Sequence, residues 1–214
     1  MSNQDPNQSD IENIKIILLG NGGVGKTAII NQYTIKDYRF NPNILTTYSP
    51  NFVEKHLIIE GQKIIVTVWD TAGQEKFNSV SKLFIKNAKI VILIYDITVL
   101  KSFDDLGFWY DFLKNELGQE VILGIGGNKV DLLSEEGFDE EVSEELLEKR
   151  AKEWGAEYAI LSAKKDKKGI IDFFDKLIRK YMIKNKLGTK SFRKTMQIKK
   201  ENFKEEKEEK KRCC

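Results

Sequence analysis

Four short stretches of this 214-residue chain carry residue types whose spacing suits work on a phosphorylated ligand. The first, GNGGVGKT (20–27), has the pattern Gly-x-x-x-x-Gly-Lys-[Ser/Thr]. Glycines at 20, 22, 23 and 25 let backbone N–H groups turn inward around phosphate oxygens. Lys26 adds a mobile positive charge for β- and γ-phosphates, and Thr27 offers a hydroxyl to Mg²⁺. The second, WDTAGQE (69–75), supplies a carboxylate, Asp70, able to hold Mg²⁺ through water. It also brings the Gly73 N–H within reach of a γ-phosphate and an amide, Gln74, that can orient an attacking water. In the third, NKVD (128–131), the Asp131 carboxylate can accept hydrogen bonds from guanine N1–H and the 2-amino group. The fourth, LSAKK (161–165), places the Ala163 N–H where guanine O6 can accept it. The first stretch alone speaks for a nucleoside triphosphate of any base; the third selects one. Adenine lacks both donors, and a buried carboxylate left unpaired loses on the order of a few kcal/mol. An ATP-using enzyme would have no purpose for NKVD.

Each stretch must be held by an element, and the pattern around them is regular. IKIILLG (14–20), KIVILIYDIT (89–98) and EVILGIGGNKVD (120–131) are continuous apolar runs, as strands covered on both faces are. NFVEKHLIIE and KIIVTVWD read as two strands of a hairpin that turns at Gly61-Gln62. KTAIINQYTI, 102–117, 139–155 and 169–182 carry apolar residues at helical spacing, and the third of these runs from acidic to basic and stops at Gly155. Strands alternating with helices predict an α/β fold of the P-loop NTPase class, a mostly parallel six-stranded sheet with helices on both faces. The expected organisation is a flexible N-terminal lead (1–12), a nucleotide-binding domain (13–183) and a basic tail (184–214).

Composition agrees with a soluble globular domain: hydrophobic residues are 41% and charged residues 32% of the chain. No apolar run approaches the roughly 20 residues of a membrane span, and the polar MSNQDPNQSD lacks the apolar core of a secretory signal. The net charge is only +2, but residues 184–212 hold 12 Lys and Arg against 5 Glu, so the tail is basic and the body mildly acidic. The two cysteines, Cys213 and Cys214, are the last two residues. A body without cysteine agrees with a reducing, cytosolic compartment. His56, among Lys and Leu, reads as an edge-strand surface residue, and Trp109 and Trp154 as packing residues.

GNGGVGKT, WDTAGQE, NKVD and SAK, in that order, together resemble the small GTPases of the Ras superfamily over about residues 12–182. The resemblance implies a GTP/GDP switch that binds GTP with Mg²⁺ and hydrolyses it to GDP and phosphate. It implies that Gly22, Gly23, Val24, Gly25, Lys26, Thr27 and Ala28 surround the phosphates. Asn128, Lys129, Asp131, Ser162, Ala163 and Lys164 become the guanine site, and Tyr38, eleven residues after Thr27, the aromatic lying against the base. Thr27, Asp70 and a first-switch threonine are the implied Mg²⁺ ligands. Counting back from WDTAGQE puts that threonine at Thr47, through a two-residue insertion in RFNPNILTT, with Thr46 the alternative. YSPNF then departs from the Rab pattern, and Pro50 has no N–H to give a sheet edge.

Lys26, Thr47, Gly73 and Gln74 are the implied catalytic set. Turnover is expected to be slow and to accelerate on the order of 10³- to 10⁵-fold with an activating protein that supplies a missing charge. YDITVLKSF and the terminal Cys-Cys resemble Rab GTPases in particular, in which both thiols receive geranylgeranyl chains. That implies a regulator of vesicle and membrane trafficking, cycling between cytoplasm and the cytoplasmic face of an internal membrane. Its implied partners are an exchange factor, an activating protein, effectors, a prenylation escort and a GDI-type chaperone, with no nucleic acid and a monomeric state. In Rabs an aromatic at Trp69 helps form an effector-sensing surface; packing is the other reading. The competing functions are a Ras-like signalling GTPase, favoured by Gly22-Gly23, and a guanine-nucleotide-binding scaffold with little hydrolysis.

Overall fold

Seven consecutive residues, Ile90–Asp96, are buried, because this strand lies at the middle of the sheet with helices over both its faces. The computed structural model describes residues 12–42, 51–59, 61–71, 82–117 and 121–185. Its strands are β1 (Glu12–Leu19), β2 (Asn51–Ile59), β3 (Gln62–Asp70), β4 (Ile90–Asp96), β5 (Ile122–Asn128) and β6 (Glu157–Ile160), ordered β2-β3-β1-β4-β5-β6. β1 runs parallel to β3 and β4, and β4-β5 and β5-β6 are parallel; only β2 is antiparallel to its neighbour β3. This is the expected α/β arrangement of six mostly parallel strands. The helices are α1 (Lys26–Thr34), α2 (Lys82–Ile85), α3 (Leu100–Asp104), α4 (Leu106–Leu117) and α5 (Glu144–Trp154), and a further helix, α6, begins at residue 167.

The chain falls into two compact units, Met1–Ile178 and Arg179–Cys214. In the second, the described residues, 179–185, are helical. Among the described residues no helix is long and apolar enough to cross a membrane.

Alternation along the strands assigns each face its helices. Ile17, Leu19, Val91, Leu93, Tyr95 and Ile125 join one core with Phe103, Leu106, Trp109, Leu147 and Ala151 of α3, α4 and α5. On the other face the helix from 167 packs so closely that β5 has no room for a side chain at Gly124: a Cβ there would lie 2.9 Å from Leu177 and 3.0 Å from Phe173. Tyr33 of α1 stacks on Phe174, ring centroids 4.0 Å apart.

Three boundaries differ from the sequence reading. Ile59 pairs with Gln62, so Gln62 already belongs to β3, and Gly61, at φ 77°, is the described residue of the turn. The helix expected from 139 begins at Glu144, because Ser143 caps it by accepting from the Leu146 N–H at 3.3 Å. The preceding residues instead dock between β4 and α3: Glu141 N–H donates to Ile97 O at 3.1 Å, and its carboxylate accepts from Leu100 N–H, at the start of α3, at 2.5 Å. The pattern at 102–117 is two helices, α3 and α4, that meet at Asp105. His56 is exposed on the edge strand β2, and Trp109 is buried in the α4 core, both as expected.

Gly127, the penultimate residue of β5, faces the buried ring of Tyr95; a Cβ there would lie 2.5 Å from its Oη and 2.8 Å from Cζ. Gly127→Ala is expected to destabilise the protein by about 1–3 kcal/mol through overpacking, read as a lower urea midpoint. In a Tyr95→Phe background part of that loss should return, since the nearest atom is gone. An equal loss in both backgrounds would mean that the strand, and not the ring, resists the methyl.

Candidate functional site

The C-terminal ends of β1, β3, β5 and β6 converge on one edge of the sheet, as the ends of parallel strands do where ligands bind in such folds. After β1 the chain enters the glycine loop. Gly25 has φ 96° and precedes α1, whose first turn holds no acidic residue and has no side-chain cap. α5, by contrast, opens with the Ser143 cap and Glu144 and Glu145. With neither a side-chain cap nor an acidic residue there, the positive end of α1 suits an anion. Lys26, only 5% exposed, folds back so that Nζ donates to Gly20 O and Asn21 O, both at 2.9 Å. Asn21 is tied in turn to α4's entry, its Nδ2 donating to Asp105 Oδ2 at 2.8 Å.

At the end of β3, Asp70 is buried, and its Oδ2 accepts from Thr27 Oγ1 at 2.7 Å. A hydroxyl and a carboxylate oxygen side by side are the hard donors Mg²⁺ prefers, so this pair fits that ion. Thr71 fixes the strand end by donating its hydroxyl to Leu18 O at 2.8 Å.

The two loops expected to hold a base are joined beneath it. Asp131 is buried, and one carboxylate oxygen accepts from Ser162 Oγ at 2.5 Å. Ser162 Oγ also accepts from Lys165 N–H at 2.9 Å, so this serine orients Asp131 from behind. Asn128, 1% exposed, donates from Nδ2 to Val24 O at 2.8 Å and accepts from Ala163 N–H at 3.0 Å. Lys129 sits at φ 72°, and its Nζ pairs with Asp96 Oδ2 at 2.7 Å. Asp96 Oδ1 is held by the Thr98 N–H at 3.0 Å and hydroxyl at 2.8 Å. Lys164 Nζ meets Glu135 Oε1 at 2.9 Å; that hydrogen bond and the carboxylate's charge raise the ammonium's pKa above its usual value.

These parts enclose a cleft of about 410 Å³. Its walls combine Gly22, Gly23, Gly25, Lys26, Thr27 and Ala28 with Asn128, Lys129, Asp131, Ala163 and Lys164. Val24 and Ser162 act on it from outside, Val24 through its carbonyl and Ser162 through Asp131. In the segment after α1 the wall is Phe40, Asn41 and Pro42; the aromatic here is Phe40, two residues beyond the expected Tyr38. Thr46, Thr47, Gly73, Gln74, Cys213 and Cys214 lie outside the described residues.

Sequence reasoning passed over Phe40, Asn21, Asp96 and Gln32. Asp96-x-Thr98 is a local turn pattern that could have been found. Gln32, whose Nε2 donates to Ala163 O across 131 positions at 2.7 Å, carries no such signal. Trp69, beside the site, stacks on Phe52 at 5.0 Å, lies 6.0 Å from Phe84 and has the Lys15 ammonium 4.3 Å over its ring. Phe52 itself is half exposed, so part of this aromatic group faces solvent.

Comparison with known proteins follows the same lines. The model of the Ras family matches residues 15–183. The chain is similar to the Ras-related protein Rab-21 of Bos taurus, 39% identical over 160 residues, covering 75% of this chain and 69% of that one. It is 38% identical over 165 residues to the Ras-related protein Rab7 of Glycine max, covering 72% and 75% of the two chains. It is 35% identical over 173 residues to the Ras-like GTP-binding protein RYL2 of Yarrowia lipolytica, covering 79% and 81%.

Proposed function

The chain belongs to the Ras family and is a Rab-type small GTPase, and on that premise we propose which residues operate the switch and where it works. As a member it binds guanine nucleotide, hydrolyses GTP and regulates membrane trafficking through regulators and effectors. One observation carries the residue assignment: a single cleft joins the uncapped, glycine-rich start of α1 to the buried carboxylate Asp131. The phosphates lie on the amides of residues 22–28 and on Lys26, and Asp131 with the Ala163 N–H reads the base. Lys129 and Lys164 border that base, and Phe40, supported by its place in the wall, takes the aromatic position beside Tyr38.

Thr27, Asp70 and Thr47 hold Mg²⁺, which when bound supplies positive charge to neutralise the phosphate oxygens. Lys26 and the Gly73 N–H hold the γ-phosphoryl group, and Gln74 orients the water that attacks its phosphorus in line as the bond to the β-phosphate oxygen breaks and GDP leaves, with no covalent intermediate. Loss of the γ-phosphate then releases the contacts from Thr47 and Gly73. The GTPase domain is residues 13–183, between the N-terminal lead of 1–12 and the tail of 184–214. Lipids on Cys213 and Cys214 anchor the protein to the cytoplasmic face of an internal membrane; two chains give the firm attachment that one does not. An exchange factor, an activating protein, a prenylation escort and a GDI-type chaperone act on a monomer. The Phe52, Trp69 and Phe84 group presents the aromatic surface that effectors sense.

The test is single-turnover hydrolysis and nucleotide release by the full-length protein. We expect slow phosphate release that Gln74→Leu suppresses. Chelating Mg²⁺ should speed GDP release about 10- to 100-fold, the loss of one charge-assisted contact. GDP release indifferent to chelation would remove the ion from Thr27 and Asp70. Hydrolysis unaffected by Gln74→Leu would remove the water from Gln74.

A further inference from the structure

A buried ring of hydrogen bonds joins α1, the phosphate loop and the loop after β6. Gln32 of α1, 5% exposed, donates from Nε2 to Ala163 O at 2.7 Å. Ala163 N–H donates to Asn128 Oδ1 at 3.0 Å, and Asn128 Nδ2 to Val24 O at 2.8 Å. α1, starting two residues after Val24, closes the ring back to Gln32. Asn128 and Ala163 already have places in the base site; Gln32 has none.

Its environment makes a purely structural role a poor account of this glutamine. Its Oε1 is buried with no partner among the described residues. A half-satisfied buried amide is unfavourable for stability, and a methionine of similar length would fill the space without that loss. What the glutamine alone provides is the Nε2 donor, and that donor grips the residue whose other face meets the base. We propose that Gln32 is a positioning residue for guanine. By fixing the Ala163 carbonyl it holds the Ala163 N–H where Asn128 and guanine O6 share it, so the helix that begins at the phosphates also sets how firmly the base is held. This rests on the base assignment given above.

The test compares GDP with 6-thio-GDP, which keeps the N1–H and 2-amino donors for Asp131 but carries a weak sulfur acceptor in place of O6. The readout is dissociation of each nucleotide from full-length wild type and Gln32→Met. Wild type should retain GDP longer than the thio analogue. Gln32→Met should release GDP about tenfold faster, the worth of one buried hydrogen bond, while release of 6-thio-GDP changes much less, so the preference for GDP shrinks. Equal acceleration for both nucleotides, or none for either, overturns the role of Gln32 and leaves the base assignment standing. A wild type that cannot tell the two nucleotides apart overturns both. Should the methionine variant fail to fold, Gln32→Glu carries the same comparison. It has the shape of glutamine but sets an acceptor against the Ala163 carbonyl, and it should shrink the preference further.

Discussion

Replacing Asp131 by asparagine will lower the affinity for GDP on the order of a thousandfold and move preference to xanthosine diphosphate. Two hydrogen bonds from the base to a carboxylate are at stake, each worth about 1.5–3 kcal/mol when one partner is charged. The mechanism is specific to the geometry. Ser162 Oγ donates to Asp131 Oδ1 at 2.5 Å, and it can donate equally to an asparagine carbonyl. The substituted amide is then held with its NH₂ toward the base. That group opposes guanine's 2-amino donor but matches the 2-carbonyl of xanthine. The protein should keep its fold, because the buried position exchanges a charge for a neutral group of the same shape. Competitive displacement of a fluorescent nucleotide by GDP and by xanthosine diphosphate reads the result. Unchanged GDP affinity would take Asp131 out of the base site.

The second large effect is expected at Gly25. Its φ of 96° is strained for any residue with a side chain, and a Cβ there would lie 2.3 Å from Asn128 Nδ2. That amide has nowhere to retreat: Asn128 is 1% exposed and engaged on both sides, by Val24 O and by Ala163 N–H. Gly25→Ala thus combines backbone strain of about 1–3 kcal/mol with the loss of about 0.5–1.5 kcal/mol for each hydrogen bond broken. Nucleotide affinity should fall on the order of 10²- to 10³-fold. Gly23→Ala is the control. It has φ 78°, but a Cβ there meets nothing within 4 Å, so only the strain remains and its loss should be about tenfold. If the two substitutions weaken nucleotide equally, the contact with Asn128 does not matter and the backbone alone decides.

The parts of this fold that were readable from sequence are those determined locally. A central strand is a run of Ile, Val and Leu because both its faces are covered, and β1 and β4 announce themselves for that reason. The glycine loop is readable because only glycine tolerates what Gly25 does. Boundaries were less readable where a side chain of modest size decides against a periodic pattern. The acidic run before α5 looks helical, yet Ser143 starts the helix and Glu141 is spent on the N–H of Leu100. The hairpin slipped by one residue because Gly61 announces a turn without fixing its register, which is set by the pairing of Ile59 with Gln62. At the site, motif residues such as Asn128 and Ser162 were legible, and the contacts that hold them, with the support from Gln32, were not. Ser162, Asn128 and Gln32 act through partners 31, 35 and 131 positions distant, and no spacing rule reaches so far. Phe40 reaches the cleft wall two residues beyond Tyr38, a matter of loop path that no spacing rule announces.

The ring through Gln32, Ala163, Asn128 and Val24 has a consequence for how this protein tolerates genetic change. Two of its four members take part only with main-chain atoms, the carbonyl of Val24 and the amide and carbonyl of Ala163. A survey that trims side chains one by one would find the ring at Gln32 and Asn128; at Val24, a buried core residue, it would read lost packing and not the carbonyl's contact, and Ala163 has almost nothing to trim. Replacing the Ser162–Ala163 amide by an ester, which deletes one N–H and leaves every side chain intact, should weaken guanine nucleotide as a side-chain survey never would. Half of this contact is therefore inherited as backbone shape, free to change its residues so long as the path of the chain is kept.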